Sequence, residues 1–132
     1  MPGMTDLEEM LATLTIDVRD EHYTFVAVAT GAGPSIGDGV EAIVREAEGD
    51  TIVTTVARAE AEGWPVDFEA AWLTLEIHSS LEAVGLTAAF SRVLAGAGIP
   101  CNVIAGFHHD HLLVPADRAG EAVRAIESLR TG

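Results

Sequence analysis

Lysine is absent from this sequence, and cysteine occurs only once, as Cys101, among 132 residues. The seven basic residues are all arginines, whereas 21 acidic residues bring the formal net charge to -14. A protein that binds the phosphate backbone of DNA or RNA needs a basic surface that displaces counterions, so this balance argues against a nucleic-acid partner. A single cysteine also excludes an intramolecular disulfide framework.

Long apolar segments are lacking as well. The run from Ala70 to Leu75 is far shorter than the roughly 20 residues that cross a bilayer. The first residues contain neither the basic n-region nor the apolar h-region of a secretory signal. We therefore expect a cytoplasmic protein without membrane attachment, and the hydrophobic fraction of 48% is high enough to form a core.

The first half of the sequence predicts two short helices and three strands. Residues 5–14 carry apolar side chains at three- and four-residue spacing, which predicts an amphipathic helix. Residues 57–62 predict a second helix of one or two turns, ended by Gly63. Runs rich in β-forming residues predict strands at residues 23–29, 40–46 and 51–55, the last two joined by a hairpin turn.

The glycine-rich segment after the first predicted strand suggests a nucleotide-binding loop. Gly31, Gly33 and Gly37 have the spacing G-x-G-x-x-x-G, and Pro34 interrupts any helix start. Phosphate binding by such a loop requires a helix N-terminus directly behind the glycines, and no long helical pattern follows. A plain connecting loop is the favoured interpretation.

The second half predicts a nearly complete ferredoxin-like unit that lacks only its last strand. Residues 68–77 alternate between an apolar side (Ala71, Leu73, Leu75, Ile77) and a mixed side (Trp72, Thr74, Glu76), as expected of a strand. A helix over residues 80–95, strands at 101–107 and 111–114 and a helix over 119–129 follow. The first half repeats this order without its first helix, so we predict an α+β protein of two tandem units with antiparallel sheets, 1–64 and 65–132.

The run from Gly85 to Ile104, GLTAAFSRVLAGAGIPCNVI, resembles the ACT domains of aspartate kinases and other enzymes of amino-acid biosynthesis. The wider segment from Ala71 to Pro115 resembles small stand-alone bacterial proteins built from two ACT-like units. This resemblance implies a non-catalytic regulatory protein that binds a small molecule such as an amino acid, uses no cofactor and forms a homodimer.

The resemblance also implies where a ligand binds, namely the loop and helix start after the first strand of the second unit, and the next strand. The corresponding residues are Ser79, Ser80, Leu81, Glu82, Val84, Gly85, Asn102, Val103 and Ile104. Independently, Ser79 and Glu82 have the spacing of a capping box, and spare amides at a helix start attract a carboxylate. The alternative is that these two residues only cap the helix in a purely structural dimerisation module.

A histidine cluster offers a third interpretation, a metal-binding protein or small enzyme. His108, His109 and His111 lie close together in sequence with Asp110, and His78 is a further candidate ligand. Neighbouring residues of a strand face opposite ways, so at most His109 and His111 share a face, and two ligands do not make a structural zinc site. We therefore predict no metal site, and we expect Cys101 to be a buried small hydrophobe rather than a nucleophile.

Overall fold

The computed structural model describes residues 6–77 and 85–131, which form helices and strands in an α+β arrangement. In chain order the elements are α1 (Asp6–Ala12), β1 (Thr15–Val28), β2 (Val40–Glu46), β3 (Gly49–Thr55), α2 (Val56–Glu62), β4 (Ala70–Glu76), α3 (Leu86–Gly96), β5 (Asn102–Ala105), β6 (Asp110–Pro115) and α4 (Ala119–Glu127). Short 3-10 turns at Ala116–Arg118 and Ser128–Thr131 flank α4. None of the helices within these residues is long and apolar enough to cross a membrane.

The chain divides into two compact units. Unit 1 consists of the described residues of Met1–Arg19 and Ala71–Gly132, and unit 2 is Asp20–Ala70. Strand β1 therefore contributes its first five residues to unit 1 and the rest to unit 2. The predicted division into residues 1–64 and 65–132 stays a prediction.

The sheet of unit 1 contains the first part of β1, then β4, β6 and β5 in that order. The hydroxyl of Thr15 donates to the backbone oxygen of Glu76 at 3.5 Å, and the guanidinium of Arg19 lies 4.1 Å above the ring of Trp72, so the two strands run antiparallel. The sequence predicts a unit that lacks its last strand. Thr15–Arg19 fill that place at the sheet edge next to β4.

The core of unit 1 lies between one face of this sheet and helices α1, α3 and α4. Leu73 and Leu75 of β4 are fully buried there, as the predicted alternation requires, and Phe90 of α3 and Ile126 of α4 pack in the same cluster. Burial of each such side chain contributes about 1.5–3 kcal/mol to folding. The Nε atom of Arg130 donates to the backbone oxygen of Leu14 at 2.8 Å and ties the C-terminal turn to the end of α1.

Helix α3 begins at Leu86, and the predicted start at Ser80 lies outside the described residues. Gly85 is its N-cap and has a φ of 95°, a left-handed conformation that interrupts a helix and that glycine adopts without strain. The helix ends at Gly96, one residue after the predicted end at Ala95, where Gly98 has a φ of 72° and the amide of Ile99 donates to the backbone oxygen of Leu94 at 2.9 Å. The guanidinium of Arg118 adds donations to the oxygens of Ala97 and Gly98 at 3.0 and 2.8 Å.

The sheet of unit 2 has the order β2, β3, β1, with antiparallel pairing throughout. Its strand β1 starts at Thr15 rather than at the predicted Tyr23. Residues 29–39 connect β1 to β2 without a helix, which confirms the predicted loss of the first helix in the N-terminal unit. Helix α2 starts at Val56, one residue before the predicted start, because the hydroxyl of Thr55 accepts from the amide of Arg58 at 3.1 Å and caps the helix.

Candidate ligand-binding site

Only part of the predicted site falls within the described residues. Ser79, Ser80, Leu81, Glu82 and Val84 lie outside them, as does the predicted capping box. Gly85 is described, and a Cβ atom at this position would lie 3.1 Å from Cδ2 of Leu7 in α1. The backbone at the start of α3 therefore passes close to α1, and both the φ angle and this close approach favour glycine.

The other three predicted residues lie together on β5, the last strand in the sheet of unit 1. Asn102 and Val103 are exposed and Ile104 is half-buried. Asn102 pairs with Leu113, and Ile104 pairs with His111. Successive strand residues face opposite ways, so Asn102 and Ile104 point away from the helices, whereas Val103 lies on the helix-bearing face.

A polar and aromatic cluster on the helix-free face of unit 1 was not anticipated from the sequence. The indole Nε1 of Trp72 donates to the hydroxyl of Thr74 at 3.2 Å, and that hydroxyl lies 3.0 Å from Nδ1 of His111. The rings of Trp72 and His111 are 5.3 Å apart, and the guanidinium of Arg19 covers the indole. The indole Nε1 also donates to Nδ1 of His111 at 3.3 Å, and a ring nitrogen that accepts a hydrogen bond carries no proton, which places the imidazole proton on Nε2.

Comparison of the sequence with known protein families assigns both halves of the chain to one family. Residues 2–71 and residues 67–128 each match the ACT domain family. The chain belongs to the ACT domain family. The crystal structure of a Vibrio cholerae protein of unknown function, described as a possible transport protein, is 35% identical to this ACT protein, with a TM-score of 0.81. The match covers 95% of this chain and 96% of that one.

More distant structures share the tandem ACT fold. A protein from Agrobacterium tumefaciens is 18% identical, with a TM-score of 0.70 and 89% coverage of both chains. The ligand-free regulatory subunit of aspartate kinase from Thermus thermophilus is 12% identical, with a TM-score of 0.61, and the match covers 88% of the ACT protein and 95% of that chain. No curated protein matches the sequence. The predicted tandem ACT architecture is confirmed, and ACT domains are regulatory, non-catalytic modules.

Among the described residues, His108, His109 and His111 do not gather into one site. His111 is half-buried and contacts Thr74, while His108 and His109 are exposed at the β5–β6 turn. Within residues 6–77 and 85–131, no group of three or more histidine, cysteine, aspartate or glutamate side chains is placed to hold a metal ion. His78, which the metal hypothesis also uses, lies outside these residues.

Two further sequence features have structural explanations. Cys101 is half-buried at the margin of the unit 1 core rather than fully buried, and burial raises the pKa of its thiol, which disfavours the nucleophilic thiolate.

In the glycine-rich loop, the amide of Gly31 donates to the carboxylate of Asp50 at 3.0 Å, and that carboxylate also binds Arg45. The loop amide that a phosphate would contact is therefore bonded to the protein's own carboxylate.

Proposed function

We propose that this ACT protein is a non-catalytic regulatory protein that binds a small molecule, with an amino acid as the first candidate. The observation that carries the proposal is that ACT matches account for both halves of the chain, residues 2–71 and 67–128. The likeness of the fold to a regulatory subunit of aspartate kinase supports the same role.

The proposed ligand site is formed by the segment that leads into α3 together with strand β5. Backbone amides before a helix carry the positive end of the helix dipole, which favours a carboxylate such as that of an amino acid. Glu82 is the proposed partner of the ligand's ammonium group, and the exposed amide of Asn102 offers both a donor and an acceptor. Ser79, Ser80, Leu81, Val84, Gly85, Val103 and Ile104 complete the proposed site.

The proposed mechanism is a shift between conformations of a cytoplasmic homodimer. A ligand changes an equilibrium only through its different affinities for the two states. Binding beside α3 and β5 would favour one arrangement at a subunit contact, and a downstream protein would respond to that arrangement.

A thermal-shift screen of the purified protein against the twenty amino acids tests this proposal. A ligand present at one hundred times its dissociation constant stabilises the folded state by about 2.7 kcal/mol, so a specific ligand raises the melting temperature clearly. Calorimetric titration of Ser79→Ala and Asn102→Ala should then show weakened binding of the same amino acid. Ser35→Ala, which removes an exposed hydroxyl from unit 2, is the matched control and should bind like the unmodified protein.

Two results would contradict the proposal. No stabilisation by any amino acid, with protein that is folded and metal-free, would favour a purely structural dimerisation module. Stoichiometric metal in the purified protein, lost on replacement of His108 and His109 by alanine, would favour the metal-binding alternative.

A further inference from the structure

The two units contain the same arrangement of three strands. In unit 2 the strand order is β2, β3, β1, and in unit 1 it is β5, β6, β4. In each unit the first two strands of that order form an antiparallel hairpin, and the third strand leads into the loop or segment that follows it. Each position of one hairpin therefore has a counterpart in the other hairpin.

Asp50 holds a positive charge beside the loop of unit 2. It lies near the start of β3, opposite Arg45 of β2 and opposite Val28, the last residue of β1. Its carboxylate accepts from Nε and Nη2 of Arg45, and also from the loop amide of Gly31 at 3.0 Å. Asp50 is only 6% exposed, so this buried carboxylate is neutralised by a guanidinium of the same unit.

Asp110 is the counterpart of Asp50 in unit 1. It is the first residue of β6 and lies two positions before Leu112, which is fully buried. Asp50 likewise lies two positions before the fully buried Ile52. Side chains two positions apart in a strand share a face, so Asp110 lies with Leu112 on the helix-bearing face of the sheet.

The end of β4 lies beside Asp110. Nδ1 of the next residue, His111, is 3.0 Å from the hydroxyl of Thr74, near the end of β4. The segment that follows β4 leads into α3 and belongs to the proposed ligand site. Asp110 therefore has the same position relative to this segment as Asp50 has relative to the loop of unit 2.

The two hairpins differ in the residue opposite the aspartate. In unit 2, Arg45 lies opposite Asp50. In unit 1, Ala105 lies opposite Asp110. Asp110 is half-buried, and within the part of the chain that the structure describes its carboxylate forms no ion pair or hydrogen bond. A half-buried carboxylate of this kind favours a positively charged group from a ligand.

We propose that Asp110 binds a positively charged group of the ligand, as Asp50 binds the guanidinium of Arg45. This assignment rests on the proposed function and names the ligand class, an amino acid with a positively charged side chain. Arginine is the first candidate, because the corresponding carboxylate of unit 2 holds a guanidinium. Glu82 stays the partner of the α-ammonium group, and the start of α3 that of the carboxylate.

The same comparison predicts the number of ligands. In unit 2 the side chain of Arg45 already fills the position that the ligand's positive group takes in unit 1. Unit 2 therefore has no carboxylate left for a ligand at this position. We expect one ligand per chain.

Calorimetric titration of the full chain with L-arginine, L-lysine and L-citrulline tests the ligand class. Citrulline has nearly the shape of arginine without its positive charge, so we expect it to bind about tenfold or more weakly than arginine. Asp110→Asn should weaken the binding of the charged amino acid by about tenfold or more. Asp117→Asn removes an exposed carboxylate from the same unit and should bind like the unmodified protein.

A second variant tests the correspondence between the units and leaves Asp110 in place. Ala105→Arg puts a guanidinium opposite Asp110, the arrangement that is native to unit 2. Ala105 is exposed, so a longer side chain has room there. We expect this variant to fold and to lose arginine binding, because its own guanidinium competes for the carboxylate. Ala105→Met adds a long side chain without a charge and should still bind.

Several outcomes would overturn the assignment. Unchanged affinity for arginine and lysine in either Asp110→Asn or Ala105→Arg, shown by circular dichroism to be folded, would do so. Equal loss of binding in Ala105→Arg and Ala105→Met would show that bulk rather than charge blocks the site. Two ligands per chain would refute the role given to Arg45.

The ligand screen keeps this assignment apart from the proposed function. Binding of a neutral amino acid alone, with the same affinity in Asp110→Asn, would refute the role of Asp110 and leave the regulatory ligand site intact. Binding of no amino acid, charged or neutral, would refute the ligand site and the role of Asp110 with it.

Discussion

Thr24 lies directly opposite Thr54 in the pairing of β1 with β3, and both side chains are completely buried. Neither Oγ1 atom has a hydrogen-bond partner within the residues that the structure describes. A buried hydroxyl that has lost its bonds to water without gaining others costs about 1–3 kcal/mol. Unit 2 therefore carries two unfavourable groups side by side.

Replacing either threonine with valine should stabilise the protein. Thr54→Val keeps the side-chain shape and removes the unpaired hydroxyl, so we expect the free energy of unfolding to rise by about 1 kcal/mol. Thr24→Val should have an effect of the same sign. Chemical denaturation with urea, analysed with a common m-value, measures both changes.

Thr51→Val is the matched control on the same strand. The hydroxyl of Thr51 donates to the carboxylate of Glu46, so the substitution removes a bond and should not stabilise. If Thr54→Val instead lowered the free energy of unfolding by 1 kcal/mol or more, its hydroxyl would have a partner that the structure does not contain.

The sequence predicted elements well where one strand or helix carries its own apolar pattern. Strand β2 has the predicted bounds, and α2 begins one residue before the predicted start. The start of β1 was missed, because Asp17, Arg19 and Asp20 interrupt the pattern of a half-buried strand. This segment is a strand because it lies beside β4, and a neighbouring strand is not visible in local sequence.

The polar cluster of unit 1 could likewise be predicted only in part from the local sequence. Trp72 and Thr74 are two residues apart, so their shared face is readable from the alternation. His111 joins them only because β6 lies beside β4, and that neighbour relation comes from the fold. Gly85 did indicate a helix boundary in the sequence, since a glycine inside a predicted helix often marks one of its ends. Helix α3 starts at the next residue, Leu86.

The stability of unit 2 should depend on the ionisation of Asp50. Hydrogen bonds from Arg45 and from the amide of Gly31 lower the pKa of this carboxyl group below its ordinary value. A lowered folded-state pKa means that the stabilisation is complete above the unfolded pKa of about 3.9 and is lost as the pH falls through the folded value. Asp50→Asn should therefore melt at a lower temperature than the unmodified protein at pH 7.

The difference between the two proteins should shrink as the pH falls below 4. Melting curves followed by circular dichroism from pH 7 to pH 3 measure it. Asp67→Asn, at an exposed position of the same unit, is the control and should follow the unmodified protein. A difference for Asp50→Asn that is constant across this range would show that the ionisation of Asp50 does not stabilise the fold.

Gly106 should not tolerate a side chain, because it closes the turn between β5 and β6. Its amide donates to the backbone oxygen of His109 at 2.9 Å. A Cβ atom at this position would lie 2.9 Å from that same oxygen and 3.1 Å from Nε2 of His111. The backbone oxygen cannot move without breaking the turn, so we expect Gly106→Ala to lower the free energy of unfolding by about 1–3 kcal/mol.

Gly96→Ala is the control for the steric crowding expected at Gly106. Gly96 is the last residue of α3, a Cβ atom there meets nothing within 4 Å, and alanine favours a helix by up to about 1 kcal/mol. We expect this variant to be neutral or more stable in urea denaturation.

Because Asn102 and Ile104 lie on the strand that the turn holds, Gly106→Ala should also weaken amino-acid binding if β5 forms part of the ligand site. A Gly106→Ala protein as stable as Gly96→Ala would mean that the turn adjusts and that His111 is not held against Gly106.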